Sequence, residues 1–193
     1  MKCSLRCPSM RVTLGLLTML LCSSVALPAQ MAGMQMAPEK PGEPLASEAA
    51  TASVTVGGGT IDIRYNTPHM RGRKIVDGLV PYGQVWRTGA NPATTLITSV
   101  PLKFESLLVP AGTHTIYTLP DAATWKLIVN NETGQWGTEY KPEMDLGRVA
   151  MSAKPMSAPQ EVMSLSFEST KPDSTELHVR WETTDRYVTI TKP

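Results

Sequence analysis

Cysteine is scarce and confined to the start of the chain: the 193 residues hold three, Cys3, Cys7 and Cys22. All three lie within a reading of residues 1–29 as a removable leader. The mature fold then has no disulfide framework, no thiolate metal site and no cysteine nucleophile. An excess of either charge is lacking too. Eighteen Lys and Arg stand against 17 Asp and Glu, without the strongly basic face that a general nucleic-acid binder uses. Long apolar runs are almost absent. Residues 12–21, VTLGLLTMLL, form the one run that approaches membrane length, and it falls short of the roughly 20 residues a spanning helix needs. The chain contains no G-x-S-x-G, H-E-x-x-H, phosphate loop or dinucleotide fingerprint, so no familiar catalytic or cofactor signature is present. No cofactor is implied. A hydrophobic fraction of 41% is ordinary for a folded domain and excludes wholesale disorder.

What is present begins with an address. Lys2, Arg6 and Arg11 precede the apolar run, and the small-residue exit CSSVALPAQ follows it. A positive start, an apolar middle and a small-residue exit are the three parts of a secretory signal peptide, here spanning 1–29. Cleavage after Ala26 or after Ala29 meets the size rule at the exit. A lipid-anchored alternative would acylate Cys22, but Leu20 and Leu21 precede it where a small residue is wanted. Loss of the leader leaves a chain close to neutral and slightly acidic, with no stable membrane span. The expected location is periplasmic or extracellular.

Residues 30–53 are rich in Ala, Pro, Glu and Met and have no aromatic residue, and they read as a disordered tether. From Val54 the pattern changes. Val56 leads into Gly57-Gly58-Gly59, and Ile61, Ile63 and Tyr65 then alternate with Asp62 and Arg64, a hairpin signal. Short alternating or β-branched runs recur to the end of the chain. Among them are residues 94–100, 113–119, 125–129 and the strict alternations Met163-Leu165-Phe167 and Leu177-Val179-Trp181. No stretch keeps a helical apolar period with caps. About nine or ten strands in residues 54–193 argue an all-β domain, an antiparallel β-sandwich or flattened barrel. The stretch after Gln135 is weakly patterned and reads as loop or a short helix.

One segment does not look like scaffold. Residues 66–93, NTPHMRGRKIVDGLVPYGQVWRTGANPA, have little strand signal, and long loops inside compact domains are often functional. They carry Arg71, Arg73, Lys74 and Arg87 against a single acid, Asp77, together with His69, Tyr82, Trp86 and Asn91. The block GLVPYGQVWRTGAN, with VPAGTHTIYTLP, TWKLIVNNETGQWG and LHVRWE further on, resembles the bacterial exported family catalogued as domain of unknown function 2911. The likeness runs from about Ser53 to Ile190 and implies an exported β-rich domain, mostly of Gram-negative bacteria, with no activity assigned. The family pattern falls on Gly72, Arg73, Pro81, Tyr82, Gly83, Trp86, Arg87, Gly89, Ala90 and Asn91, on Pro110-Ala111-Gly112, and on Trp136 and Gly137. His114 departs from it where an aromatic is usual, and Pro92 where an acid is expected.

Guanidinium groups pair with carboxylate, phosphate or sulfate, and indole and phenol faces suit a sugar ring. Arg73, Tyr82, Trp86, Arg87 and Asn91 are therefore the candidate ligand-binding residues, for a small anion or a carbohydrate. The competing reading makes Pro81, Gly83 and Gly89 turn formers and Trp86 a plug at the end of the sandwich. Arg87 then binds loop carbonyls or an acid such as Asp145. Two further functions are kept open: an envelope hydrolase using His69, Asp77 or Asp145, and Cu(I) binding by Met31, Met34 and Met36 in the tether. His114 is expected to be hydrogen-bonded beneath the sheet, and His178 to lie on a polar strand face. The favoured function is an exported, non-catalytic binding or accessory domain, with a small ligand or an envelope protein as its partner.

Overall fold

A computed structural model describes residues 46–193. The leader, the three cysteines, the methionine cluster and most of the tether lie outside the described residues. The described chain forms twelve strands and one short 3-10 turn, Pro142–Met144. The strands are β1 Glu48–Val56, β2 Gly59–Thr67, β3 Thr94–Thr98, β4 Leu102–Phe104, β5 Leu107–Val109, β6 Gly112–Leu119, β7 Lys126–Asn130, β8 Asp145–Ala150, β9 Ser152–Lys154, β10 Gln160–Lys171, β11 Ser174–Glu182 and β12 Thr184–Thr191. They build two antiparallel sheets, β1-β2-β3-β6-β7-β8 and β10-β11-β12-β4-β5, with β9 on the free length of β12. The sandwich alternative is therefore the correct one, with more strands than expected. The additional count comes from three-residue strands such as β9, which are too short to show alternation.

Strand β1 corrects one boundary. It starts at Glu48, six residues ahead of the expected domain start, in a stretch read as tether. Its first six residues, Glu-Ala-Ala-Thr-Ala-Ser, include no large apolar residue, so only pairing with β2 makes them a strand. The hairpin joining them follows the sequence closely. Val56 pairs with Gly59, leaving Gly57 and Gly58 as a two-residue turn with φ of 63° and 82°. Left-handed φ at both positions matches the right-handed twist of the flanking strands, and glycine adopts it without steric cost.

The core lies between the sheets. Ile61 and Ile63 of β2, Leu96 of β3, Ile116 of β6 and Leu127 and Val129 of β7 face inward from the first sheet. Met163 and Leu165 of β10, Leu177, Val179 and Trp181 of β11 and Val188 and Ile190 of β12 oppose them. At one end of the sandwich Trp86, from the loop 68–93, enters this core and stacks on Trp181, with ring centroids 5.8 Å apart and planes at 19°. Trp125 is buried at the same end, and Arg186 lies over its ring at 5.8 Å. Ile75 and Val80 are also buried there, and a residual gap of about 10 Å³ between them and the indoles holds at most one water molecule. Trp86→Ala should remove a buried aromatic stack and leave a cavity, at a cost of about 3–5 kcal/mol. Urea unfolding of parent and variant, compared at equal m-value, checks this.

Candidate functional site

The loop between β2 and β3 is ordered by backbone pairing rather than by side chains alone. Strand β3 accompanies β6 only as far as the Thr94–Ile116 pair. Beyond it, β6 would present unpaired amide groups, and the loop supplies the partner. Trp86 and Thr118 exchange both backbone hydrogen bonds at 2.8 Å, and Gly83 N–H donates to the Pro120 carbonyl at 2.9 Å. The next residues are stitched to the segment after β7. Ala93 N–H donates to Gln135 O at 3.2 Å, and Gly137 N–H donates to Asn91 O at 3.1 Å. Thr88 and Asn91 hold left-handed backbone, with φ of 54° and 60°. For a β-branched threonine this is strained, and its surroundings over-determine it. Its carbonyl accepts from Thr94 Oγ1 at 2.9 Å, and its own hydroxyl reaches Thr118 Oγ1 at 3.2 Å.

The five predicted ligand residues separate under this arrangement. Trp86, Arg87 and Asn91 come together at the end of the sandwich but are only 7%, 5% and 2% exposed. Arg87 packs its side-chain stem against Gly137, where an added Cβ would lie 2.0 Å from Arg87 Cδ. Burial pulls its guanidinium below the usual arginine range. Arg73 and Tyr82 remain at the surface, with Tyr82 38% exposed. The Arg73 guanidinium donates from Nε to Met70 O at 2.9 Å and from Nη2 to His69 O at 2.7 Å. The basic residues at the surface of the loop form a turn, Arg71-Gly72-Arg73-Lys74, whose first two residues have φ of 49° and 72°. Arg71 is tied by its amide to Glu161 Oε1 and by Nη2 to Ala46 O, and Lys74 lies 3.5 Å from Asp77.

The hydrolase candidates sit in different surroundings. His69 forms an isolated bridge with Val162 of β10, Asp77 is exposed, and Asp145 opens β8 at the far edge of the other sheet. Asp145 is held by Tyr140 Oη at 2.6 Å, Arg148 at 2.7 Å and Asn130 Nδ2 at 3.0 Å. Burial, with the carboxylate beside it, pushes the Tyr140 phenol up to about 12. His114 is buried as expected, between Asn131 Oδ1 at 3.2 Å and Pro110 O at 3.1 Å. Among the described residues no group of three His, Cys, Asp or Glu side chains is arranged to hold a metal ion. Among them, too, no helix is long and apolar enough to cross a membrane.

Sequence reasoning missed a second constellation, on the outer face of the β10-β11-β12 sheet. His178 pairs across strands with Ser166 and Tyr187, Arg180 with Ser164 and Asp185, and Glu176 with Glu168 and Thr189. His178 is fully buried although it points away from the core. Tyr187 stacks on it at 4.9 Å, Asp185 Oδ1 lies 2.7 Å from Nδ1, and Glu176 Oε2 lies 3.3 Å from Nε2. Arg180 closes the group, donating from Nε to Asp185 Oδ2 at 2.8 Å and from Nη1 to Glu168 Oε1. The available signal was the period-two spacing of Glu176, His178 and Arg180 with Asp185 on the next strand, which places all four on one face. The partner residue Glu168 was not legible without the register of β10.

Comparison with known proteins places the chain in a family. It belongs to the family described as "Protein of unknown function (DUF2911)", whose model matches residues 47–190. The match covers the whole sandwich from the edge of β1 to near the end of β12. No curated protein matches the chain, and no solved structure does. For this DUF2911 domain the outer-face network makes a pH prediction. The Arg180 hydrogen bond holds the Glu168 carboxyl down at about 2, below its unfolded value of about 4.3. A depressed carboxylate stabilises the fold above its unfolded pKa, and that contribution is lost as pH falls through the folded one. Glu168→Gln should therefore lower the unfolding midpoint at pH 7, and the gap to the parent should close between about pH 4.3 and pH 2. Thermal unfolding followed across that range checks it.

Proposed function

We propose that this DUF2911 chain is an exported, non-catalytic binding or accessory domain that meets a small anion or an acidic carbohydrate through the loop 66–93. Export rests on the leader of Lys2, Arg6, Arg11, the apolar run and the small-residue exit. The location is then the periplasm or the cell exterior. The observation that carries the binding reading is the exposed turn Arg71-Gly72-Arg73-Lys74: three cations within four residues, on a backbone fixed at both sides. Arg73 is already oriented by the carbonyls of His69 and Met70, which leaves its Nη1 to pair outward. Trp86, Arg87 and Asn91 take the framework role, holding the loop from inside, while Arg73 and Tyr82 meet the ligand. Such pre-organisation lowers the ordering cost of binding. The near-balanced total charge supports a local anion site rather than a nucleic-acid surface.

The test has two arms. Cell fractionation with N-terminal sequencing should find the protein outside the cytoplasm, starting at Leu27 or Gln30. Titration of the purified domain with dextran sulfate and with inorganic phosphate should show binding that weakens with added salt. The triple variant Arg71→Glu, Arg73→Glu, Lys74→Glu should bind at least about tenfold more weakly, since each inverted contact removes an attraction and adds a repulsion. A cytoplasmic protein with an intact leader overturns the export reading. Equal affinity of parent and triple variant, or no binding by the parent, overturns the ligand reading.

A further inference from the structure

The polar outer face of the β10-β11-β12 sheet supports a second site, independent of the loop 66–93. Beside the His178 network lies an open hollow of about 210 Å³, lined by Lys154 of β9, by Pro155, Met156 and Ser157 after it, and by Arg180 and Asp185. Its floor does not move freely. Asp185 is gripped from both sides, by His178 at Oδ1 and Arg180 at Oδ2. Arg180 is held by Glu168 as well, and Tyr187 stacks behind His178. Burying His178 and Asp185 on a sheet face is weak evidence for stability, because desolvation offsets most of the Coulomb attraction. What the network supplies is a floor of donors and acceptors at fixed positions, which a recognition site requires.

Charge decides the class of ligand. Arg180 and Lys154 are matched by Asp185 and Glu168, with Lys154 Nζ 3.5 Å from Glu168 Oε2. Both cations of the hollow are therefore already paired with carboxylates, which weakens their attraction for an added anion. The hollow offers hydrogen bonds of both senses. Lys154 and the outward N–H groups of Arg180 donate, and Ser157 Oγ both donates and accepts. Pro155 and Met156 bring apolar surface to the same hollow. Paired donors and acceptors beside an apolar patch match a pyranose, whose hydroxyls donate and accept together and whose C–H face is apolar. A volume below the roughly 300 Å³ of pockets for drug-sized ligands suits a single ring.

We infer that this hollow is a binding site for one neutral sugar residue, presented as the end or branch of a glycan, with Lys154, Arg180 and Ser157 as the contacting side chains. Saturation-transfer NMR on the full-length mature protein, with glucose, N-acetylglucosamine, glucuronate and methyl sulfate as separate probes, tests it. Transfer to at least one of the two neutral sugars is expected. Ser157→Phe, at an exposed position, should fill the hollow and weaken that binding at least about tenfold while the unfolding midpoint stays unchanged. Lys154→Ala should weaken it by a smaller factor, through loss of one donor. Three results overturn the inference: neither neutral sugar binds at millimolar concentration, Ser157→Phe binds as the parent does, or methyl sulfate or glucuronate alone binds.

Discussion

Strand β6 has two sides to bury and one opposing sheet to bury them against. Ile116 faces the interior, where the second sheet covers it, but Tyr117 faces outward together with Ile128 of β7. Both are fully buried, and the cover comes from loops: Ala93 and Val85 from the segment before β3, and Tyr140 from the segment after β7. The backbone imposes the same demand. Past the Thr94–Ile116 pair, β6 would lose its neighbour, and unpaired amides in a buried strand are costly. Trp86 and Gly83 fill those positions. The long irregular connection is therefore a structural layer of the sandwich, laid down as loop because its partners lie in two places at once.

That constraint explains why the loop's chemistry divides. Residues near its end must meet Thr118, Gln135 and Gly137, so Trp86, Arg87 and Asn91 turn inward. Residues near its start only need to cross from β2 to that layer, so Arg71, Arg73 and Lys74 remain in water. The inward group supports the outward one. Trp86 joins the loop to the core through Trp181, and Ile75 and Val80 seat the intervening turn against the same tryptophans. The loop is held at both of its ends and in the middle, and its basic tip inherits that rigidity.

The outer face of the other sheet follows a different logic. Alternation along β10, β11 and β12 sends apolar residues inward and leaves a polar face that needs no cover. On that face Glu168, Glu176, His178, Arg180 and Asp185 nonetheless cover one another, to the point that His178 has no exposed surface. Long charged side chains achieve this by lying across their neighbours, with Arg180 reaching diagonally to Glu168 and sideways to Asp185. The result is a patch that is polar in composition and solid in packing, with the hollow at Lys154 and Ser157 at its margin.

Much of this was legible in the residues. Alternation identified β2, β10 and β11, the glycine run gave the first hairpin, and the family likeness located the sandwich, because period-two patterning and turn chemistry act between neighbours in the chain. The first part of β1 was not legible in the same way: Glu48–Ala52 has no apolar alternation and becomes a strand only by completing the ladder of β2. The candidate site shows the same divide. Its composition stood out at once, yet residue type does not say which way a guanidinium or an indole points. The sequence alone determined an all-β chain with a basic, aromatic connection, since those properties belong to residues and their spacing. The tertiary structure decided which of those groups meet water and which meet each other. Register and layer stacking join residues far apart in sequence, Trp86 to Trp181 and Glu168 to Arg180, and local patterning carries no information about such pairs.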